Sequence, residues 1–321
     1  MLDVLVIGDL IADIVIEVDH LPLPEDVQLA SKMEMIAGGA ANFAIMASRL
    51  GLRVGILDAI GNDEVGRSLI KVLERDGVMT ASITMKEGKT KQTLVLVSKR
   101  GEKSFIGLIG GYTALIAPED IKMIAESKGI YISGYSLGVE KLSSERLTAL
   151  KSLEIAEKLG RYIFFDPGPL VSAIDKETLC RTIRRSNVLM LNLAEASTIT
   201  GVEKPEENVK MLNKLGADVV ALKLGEKGCL LFDGKKLIRE YGITVDVVDP
   251  TGAGDAFNAG VIYGVIRGLD LEKVARLANI IGTLSTTRLG AGQNLPTRKE
   301  IIDFLKRSSE KELLQLFERD E

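Results

Sequence analysis

The chain has 321 residues, of which 46% are hydrophobic, so it can bury the core of one large α/β domain or of two smaller ones. Its formal net charge of −4 argues against a general nucleic-acid binder, which normally carries a basic surface. No apolar run approaches the ~18 residues of a membrane span. The two cysteines lie in no metal-binding or disulfide pattern, and the start "MLDVLVIGDL" lacks the basic segment of a signal peptide. These features predict a cytoplasmic protein.

Short apolar segments alternate with amphipathic helical patterns along most of the chain. In chain order, the predicted strands are "DVLVIG", "RVGILDAIG", "GIYISG", "RYIFFD", "NVLMLN" and "DVVALKLG". Helical patterns lie between them, at 64–75, 141–159 and 206–215. This alternation predicts an α/β fold with a mostly parallel sheet covered by helices on both faces.

Residues 13–36 and 81–107 interrupt the alternation. Both segments contain runs typical of antiparallel strands, such as "IVIEV" and "KQTLVLVS". We expect them to form a small β-lid rather than an independent domain, so residues 1–321 are interpreted as a single domain. Exposed lid strands offer edges for pairing, which predicts a homodimer joined through the lids.

The stretch "VVDPTGAGDAF", at 247–257, places a carboxylate at a predicted helix start. The first amides of a helix have no intrahelical acceptor and the helix dipole adds positive charge, so such a site attracts phosphate or a developing anion. Gly252, Ala253 and Gly254 leave room for that anion, and Asp255 can accept a proton from an incoming hydroxyl. The alternative is structural, with Asp255 as a helix cap and the glycines in a turn.

A second glycine-containing stretch, "AGGAANFAIMASRLG" at 37–51, also precedes a predicted helix. Gly38 and Gly39 would let a ligand approach the backbone, and Asn42 can both donate to and accept from a sugar hydroxyl. The alternative is close packing of the helix against a strand, with no ligand involved.

These two stretches resemble the two sequence motifs of the PfkB family of carbohydrate kinases. The order of the motifs and their separation along the chain are also those of the family. The resemblance implies the ribokinase-like three-layer α/β/α fold, with a mostly parallel central sheet and a small antiparallel β-lid. The matching positions are Gly38, Gly39, Asn42, Gly51 and Gly61 in the first motif, and Asp249, Gly252, Ala253, Gly254, Asp255 and Gly260 in the second.

The resemblance implies an ATP-dependent phosphotransferase that phosphorylates a hydroxymethyl group of a sugar or nucleoside. Asp255 would be the general base, the amides of Gly252, Ala253 and Gly254 would form an anion hole, and Mg²⁺ would bridge the phosphates. The implied acceptor-binding residues are Asp13, Gly38, Gly39, Asn42 and Asp255.

The same resemblance implies a nucleotide and metal site. "NLAE", at 192–195, resembles the N-x-x-E that organises Mg²⁺ through water, and the same pair also suits a helix cap. In "KLGEKG", Lys223 stands where the family often has Thr. The implied nucleotide-binding residues are Asn192, Glu195, Lys223, Gly225, Gly228, Gly254 and Asn279. A candidate K⁺ site would involve Asp249, backbone carbonyls around Thr251, Ser285, Arg288 and Gly290, and the nearby Asn294.

Two alternatives stay open at this point. A phosphosugar kinase, acting on ribose 1-phosphate or a fructose phosphate, would need a lysine or arginine of the lid to meet the second phosphate. A non-catalytic ligand-binding regulator of the same fold is disfavoured because a pure binder has no need of Asp255. Ile11 stands where ribokinases proper tend to have Asn, which disfavours ribose itself. Acceptor selectivity would depend on the lid and on loops such as 107–113 and 133–138.

Overall fold

The computed structural model describes residues 1–108, 117–138, 144–308 and 310–318. Within these ranges the strands are β1 (Leu2–Ile7), β2 (Leu10–Val18), β3 (Lys32–Gly39), β4 (Val54–Gly61), β5 (Ile83–Lys86), β6 (Gln92–Ser98), β7 (Lys103–Leu108), β8 (Ser127–Ser133), β9 (Tyr162–Asp166), β10 (Val188–Asn192), β11 (Val219–Lys223), β12 (Cys229–Phe232) and β13 (Leu237–Glu240).

The helices of the same ranges are α1 (Ala40–Arg49), α2 (Glu64–Arg75), α3 (Pro118–Ala125), α4 (Tyr135–Gly138), α5 (Ser144–Lys158), α6 (Lys176–Arg185), α7 (Leu193–Thr200), α8 (Pro205–Lys214), α9 (Ala253–Ile266), α10 (Leu271–Ser285), α11 (Arg298–Arg307) and α12 (Lys311–Glu318). None of these helices is long and apolar enough to cross a membrane.

The main sheet has nine strands within the described ranges, in the order β13-β12-β11-β10-β9-β8-β1-β4-β5. Neighbours from β10–β11 through to β4–β5 pair in parallel, whereas β11–β12 and β12–β13 are antiparallel. Parallel neighbours require crossover connections, which the intervening helices supply. The carboxyl ends of β8, β1, β9, β10 and β11 therefore meet at one edge of the sheet.

Two hydrophobic cores lie on opposite faces of this sheet. On the central strand β1, Val4 and Val6 belong to one core, whereas Leu5 and Ile7 belong to the other. Helices α1, α9 and α10 pack in the first core, and α5, α6 and α8 pack in the second. Because both faces are covered, β1 is apolar on both faces apart from Asp3 near its start. The three-layer α/β/α architecture with a mostly parallel sheet is confirmed.

The lid is a separate four-stranded sheet with the order β3-β2-β6-β7. The pairs β2–β3 and β6–β7 are antiparallel, and β2–β6 is parallel. The interval 81–107 also contains β5, which pairs with β4 in the main sheet because α2 provides a crossover between them. The second lid segment therefore begins at β6. The edge strands of the lid are β3 and β7. A homodimer that forms through these edges remains a prediction.

Several helices begin at a side-chain cap, whereas α9, like α1, α3 and α8, does not. Asp63, Asp270 and Thr297 each accept a hydrogen bond from an amide of the first turn, which satisfies a donor that the helix leaves free. The N-cap of α9 is Gly252, which has no side chain to fill this role. No side chain of the N-cap residue therefore covers the start of α9.

Candidate active site

A cleft of about 1290 Å³ lies between the lid and the carboxyl ends of the parallel strands. Its walls include Thr93 and Phe105 from the lid, and Asp166, Asn192 and Lys223 from the ends of β9, β10 and β11. This edge of an open α/β sheet is where such folds bind ligands. The predicted site residues that line it are Asp13, Gly39, Asn42, Asn192, Glu195, Lys223, Gly225, Gly228, Thr251, Gly252, Ala253, Gly254, Asp255 and Asn279.

The start of α9 forms part of the cleft floor. Gly252 has a φ of 78°, and a Cβ there would lie 2.9 Å from that of Ala291, so only glycine suits the position. The amide of Ala253 donates to the carbonyl of Pro250 at 3.2 Å. Among the described residues, the amides of Gly252, Gly254 and Asp255 have no acceptor. The free donors of this turn are thus Gly252, Gly254 and Asp255, whereas the Ala253 amide is occupied.

Asp255, in the first turn of α9, is held by a side chain from α1. Its Oδ2 accepts a hydrogen bond of 3.1 Å from Asn42 Nδ2, and Asn42 Oδ1 accepts from the amide of Gly292 at 2.9 Å. Burial raises the pKa of Asp255 to about 6, and the negative charge of Asp166 acts in the same direction. The positive charge of Lys223 opposes this rise.

A buried polar network lies behind Asp255. Lys223 Nζ is 2.8 Å from Asp166 Oδ2 and 3.3 Å from Asn258 Oδ1. Asn258 Nδ2 in turn donates to Asp166 Oδ2 at 2.5 Å and lies 3.3 Å from the hydroxyl of Tyr131. Sequence reasoning missed Asp166 and Asn258. The position of Asp166 at the end of the strand "YIFFD" was the available signal, because parallel strand ends converge at one edge.

The opposite side of the cleft carries Asp13, which pairs with Thr93 across β2 and β6. Burial raises the pKa of Asp13 to about 6, and a hydrogen bond with Thr93 opposes this rise. A Cβ at Gly38 would lie 2.1 Å from Asp13 Oδ2, so the bare backbone of β3 is what admits this carboxylate. Asp9, in the two-residue turn between β1 and β2, has a φ of 68° and also lines the cleft, and it was not predicted.

Asn192 and Glu195 form a reciprocal helix cap. Glu195 accepts from the amide and the side chain of Asn192 at 2.8 and 2.7 Å, and Asn192 Oδ1 accepts from the amide of Glu195 at 2.9 Å. Burial raises the pKa of Glu195, and Asp166 contributes to the rise. The described residues contain no group of three or more His, Cys, Asp or Glu side chains that could cage a metal ion. A single carboxylate beside the cleft fits Mg²⁺ held chiefly by phosphates and water.

The nucleotide-side candidates lie around the turn after β11. Gly225 and Gly228 line the cleft there, as does Lys227 between them. Asn279 of α10 also lines the cleft, and its Nδ2 donates to the carbonyl of Tyr241 at 2.7 Å. These residues form one wall of the cleft.

The candidate K⁺ residues do not form a comparable opening. Asp249 Oδ1 accepts from the amide and hydroxyl of Thr251 at 2.9 and 2.6 Å, and Oδ2 accepts from the amide of Gly290 at 3.1 Å. Lys103 Nζ of the lid lies 2.7 Å from Asp249 Oδ1. The guanidinium of Arg288 pairs with Glu300 at 2.9 Å. The carboxylate assigned to K⁺ is therefore engaged by protein donors on both oxygens. Three further K⁺ candidates, Ser285, Gly290 and Asn294, lie outside the cleft lining, as do Arg288 and Asp249.

Of the two loops expected to select the acceptor, 133–138 contributes Ser133 and Tyr135 to the cleft. In the other loop, Gly107 lines the cleft, and residues 109–113 lie outside the described residues.

A cleft lined by polar side chains at converging strand ends, under a separate β-sheet lid, defines an α/β protein of the ribokinase-like class. The family model described as pfkB family carbohydrate kinase matches residues 1–298, and the chain belongs to this family. The resemblance of the two glycine-containing motifs is thereby confirmed.

Relatives of the chain are sugar and nucleoside kinases. It is 27% identical over 310 residues to a ribokinase of Haemophilus influenzae, a match that covers 94% of this chain and 97% of the relative. It is 25% identical over 303 residues to a nucleoside kinase of Methanothermobacter thermautotrophicus, covering 94% of each chain.

Solved structures give the same fold. Arabidopsis thaliana ribokinase complexed with ribose and ATP matches with a TM-score of 0.81 and 25% identity, covering 95% of this chain and 99% of that one. A candidate ribokinase II from E. coli, in complex with ATP and Mg²⁺, matches with a TM-score of 0.82 and 25% identity, covering 96% and 100% of the two chains.

Proposed function

We propose that the protein is an ATP-dependent kinase that phosphorylates a hydroxymethyl group of a sugar or nucleoside, with Asp255 as the general base. The observation that carries this proposal is the start of α9. There, the carboxylate of Asp255, held by Asn42 at 3.1 Å, stands in the same turn as the free amides of Gly252 and Gly254. A base and an anion-binding turn at one place suit a hydroxyl that attacks a phosphoryl group.

In this mechanism Asp13 and Asn42 orient the acceptor through its hydroxyl groups, since both side chains line the cleft and can accept hydrogen bonds. Asp255 takes the proton of the attacking hydroxyl. The amides of Gly252, Gly254 and Asp255 then stabilise the charge on the phosphoryl group in transit. Mg²⁺ would neutralise charge on the nucleotide phosphates, with Glu195 as the residue that holds it through water. The lid would exclude water from the transfer.

The charges around the cleft favour a neutral acceptor over a phosphosugar. Among the described residues, Lys223 and Lys227 are the cations that line the cleft, and they lie at the end of β11 and in the turn after it, where we place the nucleotide. On the lid side, Lys91 is engaged by Glu145 at 2.5 Å and Lys103 by Asp249 at 2.7 Å. Neither is free to meet a second phosphate, which a phosphosugar kinase requires.

A coupled phosphotransfer assay with Mg-ATP tests the proposal. The acceptor panel contains ribose, fructose, 2-keto-3-deoxygluconate, inositol, adenosine, guanosine and cytidine, with ribose 1-phosphate and fructose 6-phosphate as the charged comparison. Turnover of one neutral acceptor is the expected result. Preferred turnover of a phosphosugar would reject the neutral-acceptor assignment. Binding of Mg-ATP without turnover of any acceptor would favour the non-catalytic regulator.

A further inference from the structure

We propose that Lys103 of the lid takes the place of a monovalent cation at Asp249, and thereby joins the lid to the turn that carries the anion hole. Its catalytic consequence rests on the proposed kinase function. The placement of the charge does not, because it follows from contacts that need neither nucleotide nor acceptor.

The ammonium of Lys103 makes two contacts at this point. Its Nζ lies 2.7 Å from Asp249 Oδ1 and 2.5 Å from the hydroxyl oxygen of Thr251. The side chains are largely withdrawn from solvent, with 6% of Asp249 and 23% of Lys103 exposed. The Thr251 hydroxyl donates to Asp249 Oδ1 and accepts from Lys103, so the three groups form a closed hydrogen-bonded set.

The buried carboxylate needs a positive partner. Removing a carboxylate from water without compensation costs several kcal/mol, and a nearby cation offsets this cost. Lys103 forms an ion pair with Asp249, and together with Thr251 and Gly290 it outweighs the effect of burial and lowers the pKa of this carboxyl. A K⁺ ion at Oδ1 would have to displace one of its three donors, and Lys103 already supplies the positive charge that the carboxylate needs.

The pair also joins two parts of the molecule that are 146 residues apart. Lys103 is the first residue of β7, whose other contacts hold it to β6 within the lid. Asp249 and Thr251 immediately precede Gly252, the N-cap of α9. The contact exists only when the lid lies over this turn. A diffusible ion would order the turn before α9 whether or not the lid lay over it. With Lys103 in that role, the order of the turn depends on the position of the lid.

The melting temperature of the ligand-free full chain tests this directly. It is compared in potassium chloride and in tetramethylammonium chloride at equal ionic strength, for the wild type, Lys103→Met and Lys99→Met. Lys99 is a matched control, because it pairs with Asp19 on the same lid but both side chains are exposed. We expect K⁺ to leave the wild type and Lys99→Met unchanged. In Lys103→Met, K⁺ should raise the melting temperature by about 2–4 °C. This is the shift expected when a bound ligand stabilises a large domain by about 1 kcal/mol.

Phosphotransfer supplies the second readout. The wild type should turn over equally in both salts, and Lys103→Arg should behave like it because the charge is retained. In Lys103→Met, kcat/KM should fall about 10- to 100-fold without K⁺, as for the loss of one partner of a desolvated charge pair, and recover with K⁺.

A wild type whose melting temperature or turnover rises with K⁺ would overturn the proposal. So would a folded Lys103→Met protein that shows no response to K⁺. If Lys103→Met does not fold, Lys103→Gln and the response of the wild type decide the question. Failure of every acceptor in the panel would count against the kinase function alone, because the melting comparison in ligand-free protein is independent of it.

Discussion

The side-chain amide of Asn42 lies 3.1 Å from the carboxylate of Asp255, although 213 residues separate them in the chain. Each residue belongs to one of the two glycine-containing motifs and stands in the first turn of its helix. The contact brings the proposed acceptor-binding and phosphoryl-binding elements to one point. It also fixes the orientation of Asp255, because the oxygen of the same Asn42 amide is held by Gly292.

Replacing Asp255 with asparagine should remove the base and retain the shape of the site. We expect kcat to fall by about 10²- to 10⁴-fold, the usual contribution of a general base, while Mg-ATP binding is preserved. Steady-state kinetics and a calorimetric titration of nucleotide measure the two effects. Turnover within a factor of a few of the wild type would show that another group accepts the proton.

The raised pKa of Asp255 predicts the acid limb of the pH profile. The base works only when ionised, so kcat/KM should fall as the pH decreases through about 6. An unperturbed aspartate would place this limb near pH 4. Asp13 also has a pKa of about 6, so the profile should be repeated with Asp13→Asn, in which the Asp255 limb should persist. Constant activity down to pH 5 would contradict the assignment.

The positive charge of Lys223 should influence the position of this acid limb in the pH profile of kcat/KM. Its ammonium opposes the rise in the pKa of Asp255, so Lys223→Met should move the acid limb to higher pH. Its loss should also raise the KM for ATP about tenfold or more, if the ammonium serves the phosphates through a charged hydrogen bond. Both effects are read from pH-dependent kinetics.

The matched control for Lys223→Met is Lys210→Met, which removes the same charge from the exposed surface of α8. Its pH profile should coincide with that of the wild type. An unshifted limb in Lys223→Met, in a protein of normal melting temperature, would show that this lysine has only a structural role.

Arg49 should contribute strongly to stability rather than to chemistry. At the end of α1 it pairs with Asp76 at 2.7 Å, donates to the carbonyl of Gln293 at 3.0 Å and also reaches the carbonyl of Leu295. Both members of the pair are largely buried, with 12% and 15% of their side chains exposed. Arg49→Met should therefore lower the free energy of unfolding by about 3 kcal/mol, since it leaves a buried carboxylate without its partner.

Urea denaturation followed by circular dichroism measures this change. Lys71→Met, on the exposed face of α2, is the comparison and should stay within about 0.5 kcal/mol of the wild type. A similar loss in both variants would mean that the buried pair adds nothing specific.

The sequence predicted the main architecture because strand and helix patterns are local. Apolar runs such as that of β1 reveal strands buried on both faces, and the bare start of α9 is visible as "GAGD". The short strand β5 was assigned to the lid because four residues carry little periodicity. Its pairing with β4 is a long-range contact, and this contact decides the sheet to which β5 belongs.

By itself, the sequence determined the family, the order of the layers and the two motifs that supply Asn42 and Asp255, since these depend on residue types at fixed local spacing. Only the tertiary structure decided that Asp166 and Lys223 stand behind Asp255, and that Lys103 reaches Asp249. A charged side chain on a strand end or on a lid has no local signal for its partner. Its role is set by which distant group the fold brings within hydrogen-bonding distance, and burial then makes that pairing energetically necessary.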